Sequence, residues 1–92
     1  MPTVHLARQL TRFFPKLEGR VFQVEARTAA EVVAALDALA PGMAGYIVDE
    51  RGRLRVHVNL FIGDEMVVDR QTLSDPVPPG GTVHVMQALS GG

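Results

Sequence analysis

The sequence predicts an α+β fold in which one main helix packs on a sheet of four to five strands. A length of 92 residues, 47% of them apolar, suits a single domain with one small core. Several short segments alternate between apolar and polar residues, as half-buried strands do. Only one segment carries apolar residues at clear helical spacing. A lone amphipathic helix buries its apolar side against the sheet, so the two layers share one core.

The alternating segments predict strands at residues 3–7, 21–26, 53–62, 65–68 and 82–88. The clearest is 53–62, in which every second residue is aliphatic: Leu54, Val56, Val58, Leu60 and Ile62. Period-two alternation predicts that these five side chains face the core and that their neighbours face water. Residues 76–81, which precede the last strand, contain three prolines and two glycines and therefore form a loop.

The helix is predicted to begin after Thr28 and to end at Pro41-Gly42. Thr28 is the N-cap, and Glu31 three residues later completes a capping box. The helix carries one apolar stripe, made of Ala29, Val32, Val33, Leu36, Leu39 and Ala40. The pattern in 43–48 is compatible with coil or a short turn.

Composition excludes several classes of function. Nine Lys and Arg against ten Asp and Glu give a net charge of −1, which argues against binding nucleic acid by phosphate neutralisation. The chain has no cysteine, so disulfides, thiolate zinc sites, iron–sulfur clusters and a catalytic thiol are excluded. No apolar run approaches the roughly 18 residues of a membrane span, and no secretory signal pattern is visible. A soluble, cytoplasmic domain is the expectation.

Two segments carry a specific resemblance. Residues 56–65 read VHVNLFIGDE, and residues 80–92 read GGTVHVMQALSGG, a strand that runs into a final Gly-Gly. The chain resembles the β-grasp sulfur carriers of the MoaD/ThiS family, relatives of ubiquitin, over nearly its whole length. The resemblance implies a mixed sheet in which the first strand neighbours the last and the last pairs with the third. It divides the chain into a β-grasp domain, 1–87, and a flexible tail, 88–92.

The resemblance also implies a function for the tail. The carboxylate of Gly92 would be adenylated by an ATP-dependent, ubiquitin-activating-type enzyme and then converted to a thiocarboxylate. The sulfur would pass to an acceptor enzyme of a biosynthetic pathway such as that of molybdopterin, thiamine or cysteine. The chain would be a carrier and not an enzyme; it would bind no cofactor or metal itself, and ATP with Mg would serve the activating enzyme. The residues that thread the partner's active site would be Gly91, Ser90, Leu89 and Ala88.

Elementary chemistry supports this use of the tail. A terminal carboxylate has a pKa near 3.5, so it is ionised at neutral pH and can attack an α-phosphate. Five residues from Ala88 to Gly92 span at most about 17 Å. Glycine has no Cβ, so it passes a narrow channel and leaves the acyl carbon open to a sulfur nucleophile. Because the chain lacks cysteine, its carboxyl end is the one place where it could carry activated sulfur.

Three alternatives use the same residues differently. The chain could be a ubiquitin-like modifier joined through Gly92 to lysines of target proteins; its single lysine, Lys16, would leave one acceptor for chain building and so mildly favours the carrier. It could be the small subunit of a molybdopterin synthase-type complex. It could also be an interaction module in which the tail has no chemical role.

The three histidines are predicted to share one face of the sheet. His5, His57 and His84 each lie opposite the aliphatic residues of their strand. In the strand order that the resemblance implies, they form an exposed face that is either simply solvated or a docking surface for a partner. The candidate docking residues are Phe61, Met86, His84, His57, His5 and Arg55. Arg51, Arg53 and Arg55 also alternate and predict a positive stripe, either solvated or facing an acidic partner.

Overall fold

A five-stranded mixed sheet forms one layer of the computed structural model, which describes residues 1–87. The strands in chain order are β1 Thr3–Leu6, β2 Val21–Gln23, β3 Val58–Ile62, β4 Glu65–Met66 and β5 Thr82–Gln87. Across the sheet the order is β2-β1-β5-β3-β4. β1 runs parallel to β5, and the other neighbouring pairs are antiparallel. This is the β-grasp arrangement, and the predicted fold class is confirmed.

The second layer is the helix α1, Ala29–Leu39, as predicted. The amide of Glu31 donates to Oγ1 of Thr28 at 3.2 Å, which confirms the N-cap. In a standard capping box the Glu side chain accepts a hydrogen bond from the amide of the N-cap residue itself. Here the Glu31 carboxylate instead accepts from the amide of Arg27, one residue before the cap, at 2.8 Å. One member of the predicted apolar stripe does not face the core: Leu39, in the last turn, is 54% exposed.

The core lies between α1 and one face of the sheet. Val4, Leu60, Val83 and Val85 are fully buried on β1, β3 and β5, and α1 covers them with its apolar side. The segment 43–48, for which the sequence allowed coil or a short turn, contains the short helix α2, Ala44–Ile47. Two 3₁₀ turns, Arg8–Thr11 and Pro15–Leu17, connect β1 to β2.

The strand predicted at 53–62 begins only at Val58, so the prediction for residues 53–57 is wrong. Leu54 is buried, as predicted, but it forms an isolated bridge to Val48. The chain then turns, with the amide of Val58 donating to the carbonyl of Arg55 at 3.0 Å. Val56 is consequently 92% exposed and does not reach the core. The other strands lie within their predicted ranges but are shorter, and residue 88 lies outside the described residues.

The loop between β4 and β5 is organised by Asp69. Its carboxylate accepts hydrogen bonds from the hydroxyls of Ser74 and Thr72 and from the amides of Gln71, Thr72 and Ser74. The same loop brings the carbonyl of Leu73 within 2.9 Å of the amide of Ala30, near the start of α1. Leu73 takes a positive φ of 53° while its side chain is buried, a conformation that the surrounding contacts must hold in place. The loop therefore satisfies helix amides as well as its own.

These bonds predict a pH-dependent contribution of Asp69 to stability. The Ser74 hydroxyl first, and then the Thr72 hydroxyl and amide, hold the pKa of the Asp69 carboxyl well below its usual range. A carboxyl with a lowered folded-state pKa stabilises the fold above its unfolded pKa of about 4, and this stabilisation is lost as the pH falls through the folded value. We expect Asp69→Asn to lower the free energy of unfolding at about pH 7, with a smaller difference from the parent at about pH 3.

Urea unfolding at both pH values measures the effect. Asp64→Asn is the matched control, since Asp64 lies exposed in the β3–β4 turn and its carboxylate makes no hydrogen bond to any residue from 1 to 87. If Asp69→Asn lowers the free energy of unfolding by the same amount at both pH values, the inference that a lowered Asp69 pKa stabilises the fold is wrong.

Candidate functional site

The carboxyl end of β5 is the described part of the chain that is nearest in sequence to the predicted reactive residue, Gly92. β5 ends at Gln87, which pairs with Val58 at the start of β3. Residues 88–92, which include the predicted Gly92 and the threading residues Ala88, Leu89, Ser90 and Gly91, lie outside the described residues. Five residues span at most about 17 Å, so Gly92 lies within that distance of Gln87.

A continuous row of side chains crosses all five strands on the sheet face opposite α1. Strand register places Val21, His5, His84, Phe61 and Met66 side by side. Directly paired residues project to the same side of a sheet, so these five form one stripe. Val21 is 53% exposed and Met66 48%, so both ends of the stripe are open to solvent.

The two histidines of this row stack on each other. The ring centroids of His5 and His84 are 4.6 Å apart, and the ring planes are inclined by 14°. In the adjacent row Met86 pairs with Asn59, and Met86 is 42% exposed. His5, His84, Phe61 and Met86 therefore share one outward face, as the sequence predicted for these four.

The structure corrects the predicted positions of His57 and Arg55. His57 lies in the exposed turn before β3, and none of the three histidines packs under α1. Arg55 is directed elsewhere, with its Nε donating to the carbonyl of Gly45 at 2.8 Å. Both predictions assumed a strand from residue 53, and the side-chain alternation of a strand does not apply to a turn.

The predicted positive stripe does not form either. Arg53 bonds to Asp49 within the turn, with Nε 3.1 Å from Oδ2. The amide of Arg53 is the largest of several influences that lower the pKa of the Asp49 carboxyl. Arg51 is exposed at the tip of the same turn. The side chains of Arg53 and Arg55 therefore make separate local contacts, and Arg51 is simply exposed.

Arg70 fixes the turn that precedes β3, and the sequence analysis did not single it out. Its Nη2 donates to the carbonyls of Arg55 at 2.6 Å and Val58 at 3.0 Å, and its Nη1 donates to Oδ1 of Asn59 at 3.2 Å. A guanidinium carries five donors in a fixed fork, which suits this set of acceptors. Arg70 thereby holds the strand end that pairs with Gln87.

A groove of about 660 Å³ opens beside Gln87. Its lining includes Arg8, Arg12, Phe13, Tyr46 and His57. The rings of Phe13 and Tyr46 stack with centroids 5.3 Å apart and planes inclined by 16°, although Phe13 is 63% exposed and Tyr46 40%. These residues come from three separate segments, so no motif in the sequence indicated them.

A larger groove of about 860 Å³ lies at the other end of β5. Its lining includes Met66, Val68, Pro76 and Pro79. The six residues of β5 separate the two ends by about 17 Å. Size alone would favour this groove, but it lies away from the end of the sheet from which the tail departs.

Two classes of feature are not found in the part of the chain that the structure describes. Within residues 1–87 no three His, Asp or Glu side chains lie together in a way that could hold a metal ion. None of the helices described there has the length and apolar character needed to cross a membrane.

Comparisons with known proteins show the fold. No family model matches the sequence, and no curated protein matches it significantly. A chain of the Amycolatopsis orientalis BexX/CysO complex matches with a TM-score of 0.84 at 23% identity, covering 100% of both chains. Mycobacterium tuberculosis CysO, described as an antigen, matches with a TM-score of 0.82 at 24% identity, covering 97% of this chain and 100% of that one.

A third match is more distant. SAMP1 from Haloferax volcanii has a TM-score of 0.71 at 19% identity, covering 99% of this chain and 98% of that one. At these identities the likeness shows a shared ubiquitin-like fold. It is consistent with the resemblance to the MoaD/ThiS family that the sequence carries.

Proposed function

We propose that this chain is a ubiquitin-like sulfur carrier whose reactive group is the carboxylate of Gly92. One observation carries the proposal: a β-grasp sheet whose last strand, β5, ends at Gln87 and is followed by Ala-Leu-Ser-Gly-Gly. The likeness in fold to CysO supports it. The chain is then the substrate of an adenylating enzyme and does not itself catalyse the reaction.

The proposed chemistry has two balanced steps. A carboxylate oxygen of Gly92 attacks the α-phosphorus of ATP, an acyl adenylate forms, and pyrophosphate leaves. A hydrosulfide then attacks the acyl carbon, the bond to the adenylate oxygen breaks, AMP leaves with that oxygen, and the proton of the hydrosulfide is released to water. The product is a thiocarboxylate on Gly92, whose sulfur is transferred to an acceptor enzyme of a biosynthetic pathway. ATP and Mg belong to the activating enzyme.

The exposed sheet face is the proposed docking surface for that enzyme. His5, His84, Phe61 and Met86 form a largely uncharged face on the same sheet that ends at Gln87. Aromatic residues and Met are enriched at protein interfaces, and charged residues are depleted at interface cores. One of the matching structures is itself a complex, that of CysO with BexX, which supports a protein partner for this fold.

The test is direct conversion to the thiocarboxylate. The chain is incubated with an adenylating enzyme from the same genome, ATP and sulfide, and the product is trapped with a reagent selective for thiocarboxylates. We expect one adduct, mapped to Gly92. Trapping is needed because replacing oxygen by sulfur adds nearly the same mass as oxidation of one of the four methionines. Absence of both adenylate and adduct would contradict the proposal.

A ubiquitin-like modifier is the second candidate, favoured by the fold likeness to SAMP1, a small archaeal modifier protein. It shares the adenylation step but ends in an amide bond between Gly92 and a lysine of a target protein. In that case the adenylate forms, no thiocarboxylate is trapped, and lysine conjugates appear in cell extract.

A further inference from the structure

We propose that the groove beside Gln87 binds an acidic segment of the activating enzyme, one that also carries an apolar or aromatic side chain. This inference rests on the proposed function and deepens it, because it assigns the partner contact that accompanies entry of the tail. The groove lies at the carboxyl end of the central strand β5 and is distinct from the row of side chains on the outer face. Its defining residues are Arg8, Arg12, Phe13 and Tyr46, and we call it the tail-exit groove.

The short reach of the tail determines what covers this groove. Gly92 is the fifth residue after Gln87, and five residues span at most about 17 Å when extended. An enzyme that holds Gly92 in its active site must therefore bring its own surface within that distance of Gln87. Gln87 itself lines the tail-exit groove. The enzyme that takes the tail is consequently brought close to the groove.

Charge indicates the chemistry of the contacting segment. Two arginines, Arg8 and Arg12, line the groove against one carboxylate, that of Glu18. Nε of Arg8 lies 3.7 Å from Oε2 of Glu18, with side chains 86% and 54% exposed, so this is a weak surface pair that can exchange partners. Arg12 forms no ion pair with any residue from 1 to 87. Because the whole chain carries a net charge of −1, this positive lining is a local feature that complements carboxylates.

The aromatic pair indicates an apolar contact beside the charges. Phe13 and Tyr46 belong to a chain with only four Phe and one Tyr, yet both rings stack where water reaches them. Phe14 meets Tyr46 edge-on, with centroids 5.7 Å apart, and thereby supports the stack from the side of the domain. Rigid aromatic surface next to arginine is the composition of interface hot spots.

The experiment compares two groove variants with two matched controls in steady-state adenylation by the activating enzyme. The groove variants are the double charge reversal Arg8→Glu/Arg12→Glu and the single change Phe13→Ser. The controls are Arg51→Glu, which reverses an exposed charge outside the groove, and Val68→Ser, which changes a side chain that is 87% exposed in the larger groove. Circular dichroism confirms that each variant is folded.

We expect both groove variants to raise KM by about tenfold or more, with kcat within about twofold of the parent. The groove contacts hold the carrier but do not touch the reacting carboxylate, so binding changes and chemistry does not. The double reversal should also flatten the rise of KM with ionic strength, because screening then has less attraction to weaken. The two controls should leave KM within about twofold of the parent.

The outcomes separate this inference from the proposed function. If the parent chain is adenylated and both groove variants match it in KM, the groove is not a docking site and the inference is wrong, while the carrier function stands. A lower KM in the double reversal would also overturn it, because the groove would then bind the carboxylate of the chain's own tail. If the parent chain itself is not adenylated, the proposed function fails and the inference fails with it.

Discussion

Deletion of Gly92 is expected to abolish adenylation while leaving the free energy of unfolding unchanged. Removing one residue draws the terminal carboxylate back by about 3.3–3.6 Å along an extended tail. A displacement of about 1 Å at a reacting centre is enough to cost roughly a hundredfold in rate. We therefore expect a loss of at least about a hundredfold in kcat/KM for pyrophosphate release. We expect the fold to be kept, because every residue of the described core and of the five described strands lies before the deleted position.

Two further variants show whether the position of the carboxylate is responsible. Addition of one alanine after Gly92 moves the carboxylate forward by the same distance and should be equally inactive. Asp64→Asn, in the exposed β3–β4 turn, keeps the whole tail and the terminal carboxylate, so it should retain activity within about threefold. Adenylation of the Gly92-deleted chain at the parental rate would remove the central claim.

The elements that the sequence predicted correctly are those whose determinants are local. The N-cap Thr28 and the acidic Glu31 specify the start of α1 by bonds within four residues. β5 follows a proline-rich loop and alternates without interruption up to Gln87. The parallel pairing of β1 with β5 came from the family resemblance, since alternation does not specify which strands are neighbours.

The start of β3 could not be predicted because long-range contacts override the alternation. Leu54 and Val58 are both buried, which preserves the apparent pattern, but they reach the core on either side of a turn. That turn is held by Arg70, whose guanidinium binds the carbonyls of Arg55 and Val58 from a position 12 to 15 residues away. No local pattern in residues 53–58 indicates those hydrogen bonds.

The dependence on long-range contacts also explains which residues of the candidate site the sequence predicted and which it missed. The prediction that His5 and His84 share a face was correct because both residues lie on strands, where side-chain alternation applies. The register of β1 and β5 then pairs the two residues directly. The tail-exit groove gathers side chains from the Arg8–Thr11 turn, from α2 and from the turn before β3. Such a surface is a product of tertiary packing and has no periodicity to detect.

The second large effect is expected from Leu60→Ala, at the centre of β3. Leu60 is fully buried and lies opposite Val85 on β5, within the layer that α1 covers. Truncation of a buried leucine costs about 2–5 kcal/mol, since it removes apolar contacts and leaves a cavity. A domain of this size has a total stability of about 5–15 kcal/mol, so the loss is a substantial fraction. Urea unfolding gives the free energy, and the slope with denaturant shows whether the two-state transition is kept.

Val58→Ala and Val56→Ala provide a matched pair that tests the start of β3. The two positions are two residues apart and undergo the same substitution, but Val58 is fully buried and Val56 is 92% exposed. We expect Val58→Ala to cost about 2 kcal/mol and Val56→Ala less than about 0.5 kcal/mol. Uninterrupted alternation from residue 53 would instead bury both side chains and predict similar losses. Equal destabilisation would therefore mean that β3 continues through Val56, in which case His57 would return to the sheet face beside His84.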